Sequence, residues 1–246
     1  MDERLPQFVR VWDLPVRALH WLLVALMTTS VATGLSGGNA MLWHMRSGYA
    51  ILALVVFRIL WGVVGSTTAR FTDFLYGPRR VIAFAKDLLT RRSAHYRGHN
   101  PLGGWMVLVL LLCVLFQAGS GLFANDDIST EGPLYRYVSK DLSDRLTGLH
   151  KLNIKLLYGL VALHVAAVIY HWLGRGENLV PAMFTGYKSS PPGSQSSAQV
   201  PARVSEQVSE QVSEQVSELQ FSSLRLALGL FVAVALAVWL LVSQPS

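Results

Sequence analysis

Cysteine and charged residues are both scarce in this sequence. The single cysteine, Cys113, lies in an apolar run, which excludes an intramolecular disulfide, a cysteine-based zinc site and the CxxCH attachment of a c-type haem. Charged residues make up only 15% of the 246 residues, whereas 52% are hydrophobic. The polar segments also lack Walker, Rossmann, triad and zinc signatures. The composition therefore indicates a membrane protein, and the polar segments give no sign of a separate enzyme activity.

Five apolar runs are long enough to cross a membrane as helices. A spanning helix needs roughly 20 apolar residues to cross about 30 Å of hydrocarbon. The runs cover residues 16–35, 41–64, 102–123, 149–173 and 224–242. The first run lacks a small-residue cleavage pattern, so we expect a retained helix and not a signal peptide. The sequence therefore predicts an all-α integral membrane protein with several spans.

The basic residues indicate the orientation of these spans. Residues 36–40, between the first two runs, contain no Lys or Arg, whereas the segment between the second and third runs contains seven. Positive residues stay cytoplasmic, which predicts a cytoplasmic amino terminus. Residues 124–148 carry five acidic and three basic residues and suit the opposite side. Because the positive charge is concentrated in one loop between spans, the net charge of +6 does not indicate a nucleic-acid partner. The seven basic residues are Arg70, Arg79, Arg80, Lys86, Arg91, Arg92 and Arg97.

Histidines within or beside apolar runs are costly and are therefore candidates for function. The chain has seven, which are His20, His44, His95, His99, His150, His164 and His171. His150 and His164 are 14 residues apart, which leaves them about 40° short of four full turns and about 21 Å apart along one helix face. This spacing fits two haems, one near each membrane surface. A single membrane histidine more often packs or forms hydrogen bonds, but several at matching depths favour haem.

The partner histidines must come from other helices at the same depths. His44 opens the second run at the outer surface, level with His150. His20 lies near the cytoplasmic start of the first run, and from spacing alone either His164 or His171 could pair with it. Two imidazoles close the iron to further ligands, which suits electron transfer.

Arg58 lies 14 residues after His44 and thus on the same helix face, one haem spacing deeper. A guanidinium within a span needs an anion, and haem propionates are such anions. The alternative is a side chain that extends to the cytoplasmic interface, because the second run ends soon afterwards.

Three segments and the His150–His164 pair resemble the bacterial cytochrome b561 family, including the b-type cytochrome subunits of nickel–iron hydrogenases. The segments are RVWDLPVRALHW at 10–21, GHNPLGGW at 98–105 and GENLVPAMFTG at 176–186, within a resemblance that covers about 6–188. The resemblance implies a four-helix transmembrane bundle that binds b-type haem and exchanges electrons with the quinone pool. It also favours His20, His44, His150 and His164 as axial ligands over His171. The family-like Gly-His-Asn-Pro context points to a role for His99 near the inner haem or a quinone, but loop histidines are more often solvated. His95 and His99 are therefore left out of the ligand set.

The chain then divides into three units. Residues 1–188 form the cytochrome-like domain, 189–220 a linker, and 221–246 an additional carboxy-terminal transmembrane helix. The linker is rich in Ser, Pro and Gln and contains a Val-Ser-Glu-Gln repeat over 204–218, which favours a tether over a partner-binding helix.

We therefore expect a cytochrome with two b haems in the lipid of the bacterial inner membrane. It would transfer electrons between the quinone pool and a redox protein, such as a c-type cytochrome or a hydrogenase-like subunit. A haem subunit of a respiratory oxidoreductase is favoured over a stand-alone enzyme. The alternatives are a stand-alone quinone-reducing oxidoreductase with a superoxide-type donor, and a haem-free transporter or scaffold. The repeated halves and broken helices of transporters are not evident.

Overall fold

The computed structural model describes residues 7–89, 98–190 and 220–243, and it confirms the predicted helical membrane fold. Five helices are long and apolar enough to cross a membrane. They are α1 (Leu14–Ser36), α2 (Met41–Val64), α5 (Pro101–Gly121), α6 (Lys140–Arg175) and α8 (Leu224–Val242). The shorter helices are α3 (Phe71–Phe74), α4 (Pro78–Leu89) and α7 (Val180–Thr185). Residues 191–219, which hold most of the predicted linker and its repeat, lie outside the described residues, so the division into three units stays a prediction.

Helix ends follow local capping signals. Asp13 caps α1 by accepting from the Val16 backbone N–H at 2.9 Å, and Asn100 caps α5 in the same way from Gly103 at 2.7 Å. Both caps precede a proline in the first turn, where its missing N–H costs nothing. Helix α6 begins nine residues earlier than its apolar run, because Ser139 caps two polar turns that precede the run. It ends at Gly176, which has the left-handed φ of 67°.

Helix α2 is the centre of the bundle. In the apolar window of α2, 56% of the residues are buried, against 6% for α1 and for α6. Helix α2 packs against α1, α5 and α8, and α5 packs against α6, whereas no comparable packing joins α1 to α6 within the described part of the chain. The extra helix α8 therefore lies on α2, where Phe231 meets Phe57 edge to face with ring centroids 5.8 Å apart.

A short antiparallel strand pair joins two distant segments at one end of the bundle. Strand β1 (Gln7–Arg10) precedes α1, and β2 (Tyr187–Ser190) follows α7. Val9 pairs with Lys188, and the Val11 N–H donates to the Gly186 carbonyl at 2.8 Å. The all-helical prediction missed this pair, because each strand has only four residues. The pair brings the two ends of the four-helix core together.

Candidate haem sites

His44 on α2 and His150 on α6 form the first histidine pair, called here the outer site. Their ring centroids are 6.1 Å apart and their planes are inclined by 81°. A metal–imidazole bond is about 2 Å long, so two rings bound to one metal have centroids about 6 Å apart. The spacing of the two rings therefore fits a pair of axial ligands.

The Nδ1 atom of each ring at the outer site is bound to a backbone carbonyl of the neighbouring helix. His44 Nδ1 lies 2.8 Å from the Ser30 carbonyl on α1, and His150 Nδ1 lies 2.9 Å from the Gln117 carbonyl on α5. A carbonyl only accepts, so each Nδ1 carries the proton and donates it. Each Nε2 is left unprotonated, which is the state that binds iron.

Two glycines make room for these rings. A Cβ atom at Gly34 would lie 2.8 Å from His44 Nδ1, and one at Gly121 would lie 3.2 Å from His150 Cε1. Each histidine ring therefore lies directly against the backbone of the neighbouring helix, which brings its Nδ1 within reach of a carbonyl. A larger residue at either position would push the ring away.

Asn153 supports the outer site from one turn beyond His150. Its side-chain amide donates to the Cys113 carbonyl at 2.9 Å and to Gln117 Oε1 at 2.8 Å. Gln117 thus binds α6 through both its backbone and its side chain. The two bonds of Asn153 fix the position of α5 against α6, and with it the carbonyl that orients His150.

His20 on α1 and His164 on α6 form the second candidate pair, called here the inner site. The two side chains are close enough to interact electrostatically. Among the described residues, the buried His20 Nδ1 has no hydrogen-bond partner, and no hydrogen bond engages His164. Unlike the outer site, this pair is not oriented by protein carbonyls.

His171, the alternative to His164, has protein neighbours at both ring nitrogens. Its Nε2 lies 3.4 Å from the Asn100 amide nitrogen, and its Nδ1 lies 3.4 Å from Glu177 Oε2. Glu177 in turn forms an ion pair with Lys188 on β2. His171 therefore belongs to a polar cluster at the end of α6.

Arg58 is buried, with 4% of its surface exposed. Its guanidinium lies 5.6 Å from the Phe71 ring centre and 6.0 Å from that of Phe74. Its Nη1 has no hydrogen-bond partner in the part of the chain that the structure describes. The side chain therefore stays inside the bundle and does not extend to the surface, as the alternative interpretation required. An anionic group is the partner that such a cation needs.

His99 is not the solvated loop residue that the sequence suggested. Its ring lies between those of Trp12 and Phe74, at centroid distances of 4.6 and 4.8 Å. Burial, together with the nearby charges of Arg58 and His164, lowers the pKa of His99 to about 3, so the imidazole is neutral at physiological pH. Its surroundings come from segments far away in the sequence, and its only sequence signal was the Gly-His-Asn-Pro context. His95 lies outside the described residues.

The donor sets fit haem better than a bare metal ion. Within residues 7–89, 98–190 and 220–243, no group of three or more His, Cys, Asp or Glu side chains could hold a metal ion. A structural or catalytic zinc site draws three or four ligands from the protein. A porphyrin supplies its own equatorial nitrogens, so two facing histidines complete the coordination. The facing pair at the outer site meets this requirement.

Comparisons with known proteins agree with these observations. A family model described as prokaryotic cytochrome b561 matches residues 11–186. A probable Ni/Fe-hydrogenase B-type cytochrome subunit of Rhizobium leguminosarum bv. viciae is 24% identical over 73% of this chain and 88% of its own length. The probable Ni/Fe-hydrogenase 1 B-type cytochrome subunit of Escherichia coli strain K12 is 24% identical over 77% of this chain and 94% of its own length. No solved structure matches the chain significantly. The resemblance seen in the sequence is thus confirmed, and the chain belongs to the prokaryotic cytochrome b561 family of multi-pass membrane proteins, which bind haem b and transfer electrons.

Proposed function

We propose that this protein is a dihaem b-type cytochrome that carries electrons between the quinone pool and a redox partner protein. The observation that carries the proposal is the geometry of the outer site. His44 and His150 have the ring spacing of two ligands on one metal, and each donates its Nδ1–H to a carbonyl. This arrangement leaves two Nε2 atoms free for one iron.

We assign His20 and His164 as the second axial pair. His164 has no competing hydrogen bond among the described residues, whereas His171 has polar neighbours on both sides of its ring. His150 and His164 are separated by about 21 Å along α6 at 1.5 Å per residue. The two sites would therefore serve opposite halves of the membrane.

The residues of the chain determine how such a cofactor would behave. A bound b-type haem supplies reversible one-electron transfer. Two histidines at each site would hold the haem and would keep oxygen from binding to it. The bonds of His44 and His150 to helix carbonyls fix the ring orientations, and burial of Arg58 places a positive charge near the inner site. Transfer between fixed, closed sites suits an electron-carrying subunit better than a stand-alone enzyme.

The basic segment after α2 supports a cytoplasmic amino terminus in the bacterial inner membrane, with the quinone near the inner site. The loop before α6 would then face the other side, where a redox protein docks. Three backbone N–H groups, from Thr130, Ser129 and Ile128, hold the pKa of Asp126 well below its usual range. Asp126 is therefore a fixed negative charge in this loop. The names of the relatives suggest a hydrogenase-like partner.

The test is a count of haem per polypeptide by pyridine haemochrome on the full chain purified in detergent. We expect two b haems in the wild type and one after His44→Ala, His150→Ala, His20→Ala or His164→Ala. His171→Ala is the matched control, because it removes a histidine from the same helix as His164 and should leave two haems.

Other results would change the assignment. A single haem after His171→Ala, with two after His164→Ala, would move the inner ligand to His171. A wild type with one haem would contradict the dihaem proposal. A wild type without haem, from cells supplied with it, would favour the haem-free transporter or scaffold. Turnover of the purified protein with superoxide and quinone would favour the stand-alone oxidoreductase.

A further inference from the structure

Three segments that are distant in the sequence meet beside the inner site. Trp12 precedes α1, His99 precedes α5, and Gly186 follows α7. The centroids of the Trp12 and His99 rings are 4.6 Å apart. The backbone N–H of Trp12 donates to the Gly186 carbonyl at 3.2 Å. Phe74 of α3 packs against the other side of His99 at 4.8 Å. The position of His99 is thus fixed by packing from several elements.

Arg58 lies beside the same aromatic group. Its guanidinium is 6.0 Å from the Phe74 ring centre, and its charge acts on His99. Each side chain carries a buried nitrogen that has no hydrogen-bond partner among the described residues, Nη1 on Arg58 and Nδ1 on His99. Two unpartnered buried nitrogens on neighbouring side chains are rare in native proteins and indicate a ligand with acceptor oxygens.

Among the described residues, the carboxylate whose charge acts on Arg58 is that of Asp13, and it already accepts hydrogen bonds from other donors. Asp13 is buried, its Oδ1 accepts from the Val16 N–H, and its Oδ2 accepts from Trp61 Nε1 at 2.9 Å. It interacts with Arg58 at long range, since the described residues show no ion pair between them. None of the described residues therefore supplies an acceptor to Arg58 Nη1 or His99 Nδ1, and both nitrogens are available to a bound group.

We propose that Arg58 and His99 together bind a carboxylate of the inner haem, with His99 acting as a positioning residue that donates from its ring. This inference rests on the proposed inner site. The charges of Arg58 and His164, one from each part of that site, both act on His99. A neutral imidazole keeps one N–H to donate, and a guanidinium supplies the positive charge, so the pair matches a single carboxylate.

The pair would affect the reduction potential of the inner haem. A negative carboxylate near iron favours the ferric state. A donor that disperses this charge favours the ferrous state and raises the potential. Loss of the His99 donor should therefore lower the potential of the inner haem and leave that of the outer haem unchanged.

The experiment is a spectroscopic redox titration of the full-length protein with His99 replaced in two ways. His99→Phe retains a ring between Trp12 and Phe74 but removes the donor, whereas His99→Asn retains an N–H near the Nδ1 position. The component that disappears in His20→Ala identifies the inner haem. We expect a lower midpoint potential for this component in His99→Phe, a potential closer to wild type in His99→Asn, and an unchanged second component in both.

Two results would overturn the inference. One is an unchanged inner potential in His99→Phe, and the other is an equal shift in the Phe and Asn variants, which would indicate packing alone. If His99→Phe loses the inner haem, retention of that haem in His99→Asn supports the donor role, and its loss in both contradicts it. A wild type with fewer than two haems, or a His20→Ala variant that keeps both, would overturn the proposed function itself.

Discussion

The outer and inner sites differ in how the protein satisfies their polar groups. At the outer site, His44 and His150 each bind a carbonyl of the neighbouring helix. At the inner site, the buried Nδ1 of His20 and Nη1 of Arg58 have no hydrogen-bond partner within residues 7–89, 98–190 and 220–243. The protein itself holds the Nδ1 atoms of the first site, whereas the second contains nitrogens that would be available to a cofactor. The two ends of the bundle should therefore respond differently to substitution.

The two sites also differ in which elements build them. The outer site depends on two helix pairs, α1 with α2 and α5 with α6. Next to the inner site, α7 contacts α1 through Trp21 Nε1, which donates to the Met183 carbonyl at 3.2 Å. Strand β1 pairs with β2, and Trp12 contacts His99. Helix contacts should therefore control the outer haem, and packing between irregular segments should control the inner one.

The largest expected effect is the loss of the outer haem alone, caused by a change in helix packing. Gly34→Val places a branched side chain where even a Cβ would lie 2.8 Å from His44 Nδ1. The His44 ring must move and lose its carbonyl bond, so we expect the haem content to fall from two to one while the inner haem remains. Ala32→Val, at an exposed position on the same helix, is the control and should retain both haems. Two haems in Gly34→Val would show that the outer site does not need this close approach.

The next effect concerns the cover of the inner site. Asp13→Ala removes the cap of α1 and leaves Trp61 Nε1 buried without an acceptor. Loss of a cap costs about 1 kcal/mol and an orphaned buried donor about 1–3 kcal/mol, so we expect the free energy of unfolding to fall by about 2–4 kcal/mol. Denaturant unfolding of the protein in detergent would measure this change in free energy. Ser139→Ala, which removes only an exposed cap from α6, should cost about 1 kcal/mol. An equal loss of unfolding free energy in the two variants would mean that the bond of Asp13 to Trp61 contributes nothing to stability.

The pH dependence of stability should reflect the burial of His99, which lies outside the membrane-spanning helices. The pKa of His99 is lowered to about 3, below that of an unfolded histidine at about 6.5. Between these values the unfolded state binds the extra proton, so stability is constant above about pH 6.5 and falls as the pH drops below it. The full slope is about 1.4 kcal/mol per pH unit. The free energy of unfolding, measured from pH 7.5 to pH 5, should fall less in His99→Asn than in wild type. Identical pH profiles would mean that His99 has the same pKa in the folded and unfolded protein, which would contradict its burial.

The sequence alone predicted much of this organisation. The apolar runs at 41–64 and 224–242 match α2 and α8, because hydrocarbon-spanning length is a property of the chain itself. The facing of His44 and His150 followed from helix periodicity and matching depth. The strand pair at Val9 and Lys188 was missed, because pairing between such short, distant segments leaves no periodic signal.

Burial of a loop histidine is the clearest case of what sequence reasoning could not predict. His99 is surrounded by Trp12 and Phe74, which belong to different segments, and only the folded chain brings them together. The same holds for the acceptors of His44 and His150. Periodicity places a histidine on a helix face, but the carbonyl that orients it depends on how far the neighbouring helix is shifted along its axis.

The smallest expected effect concerns the two hydrogen bonds of Asn153, which hold α5 in its position along α6. Asn153→Leu removes its bonds to Cys113 and Gln117 while it fills a similar volume. Hydrogen bonds between membrane helices contribute about 0.6 kcal/mol on average, so we expect a loss of about 1 kcal/mol in unfolding free energy and retention of both haems. The outer haem should shift in midpoint potential, because the Gln117 carbonyl that polarises His150 is less firmly held. The inner haem of the same sample is the control. A shift confined to the inner haem would contradict the assignment of Asn153 to the outer site, whereas a shift confined to the outer haem would show that one helix contact tunes one site without the other.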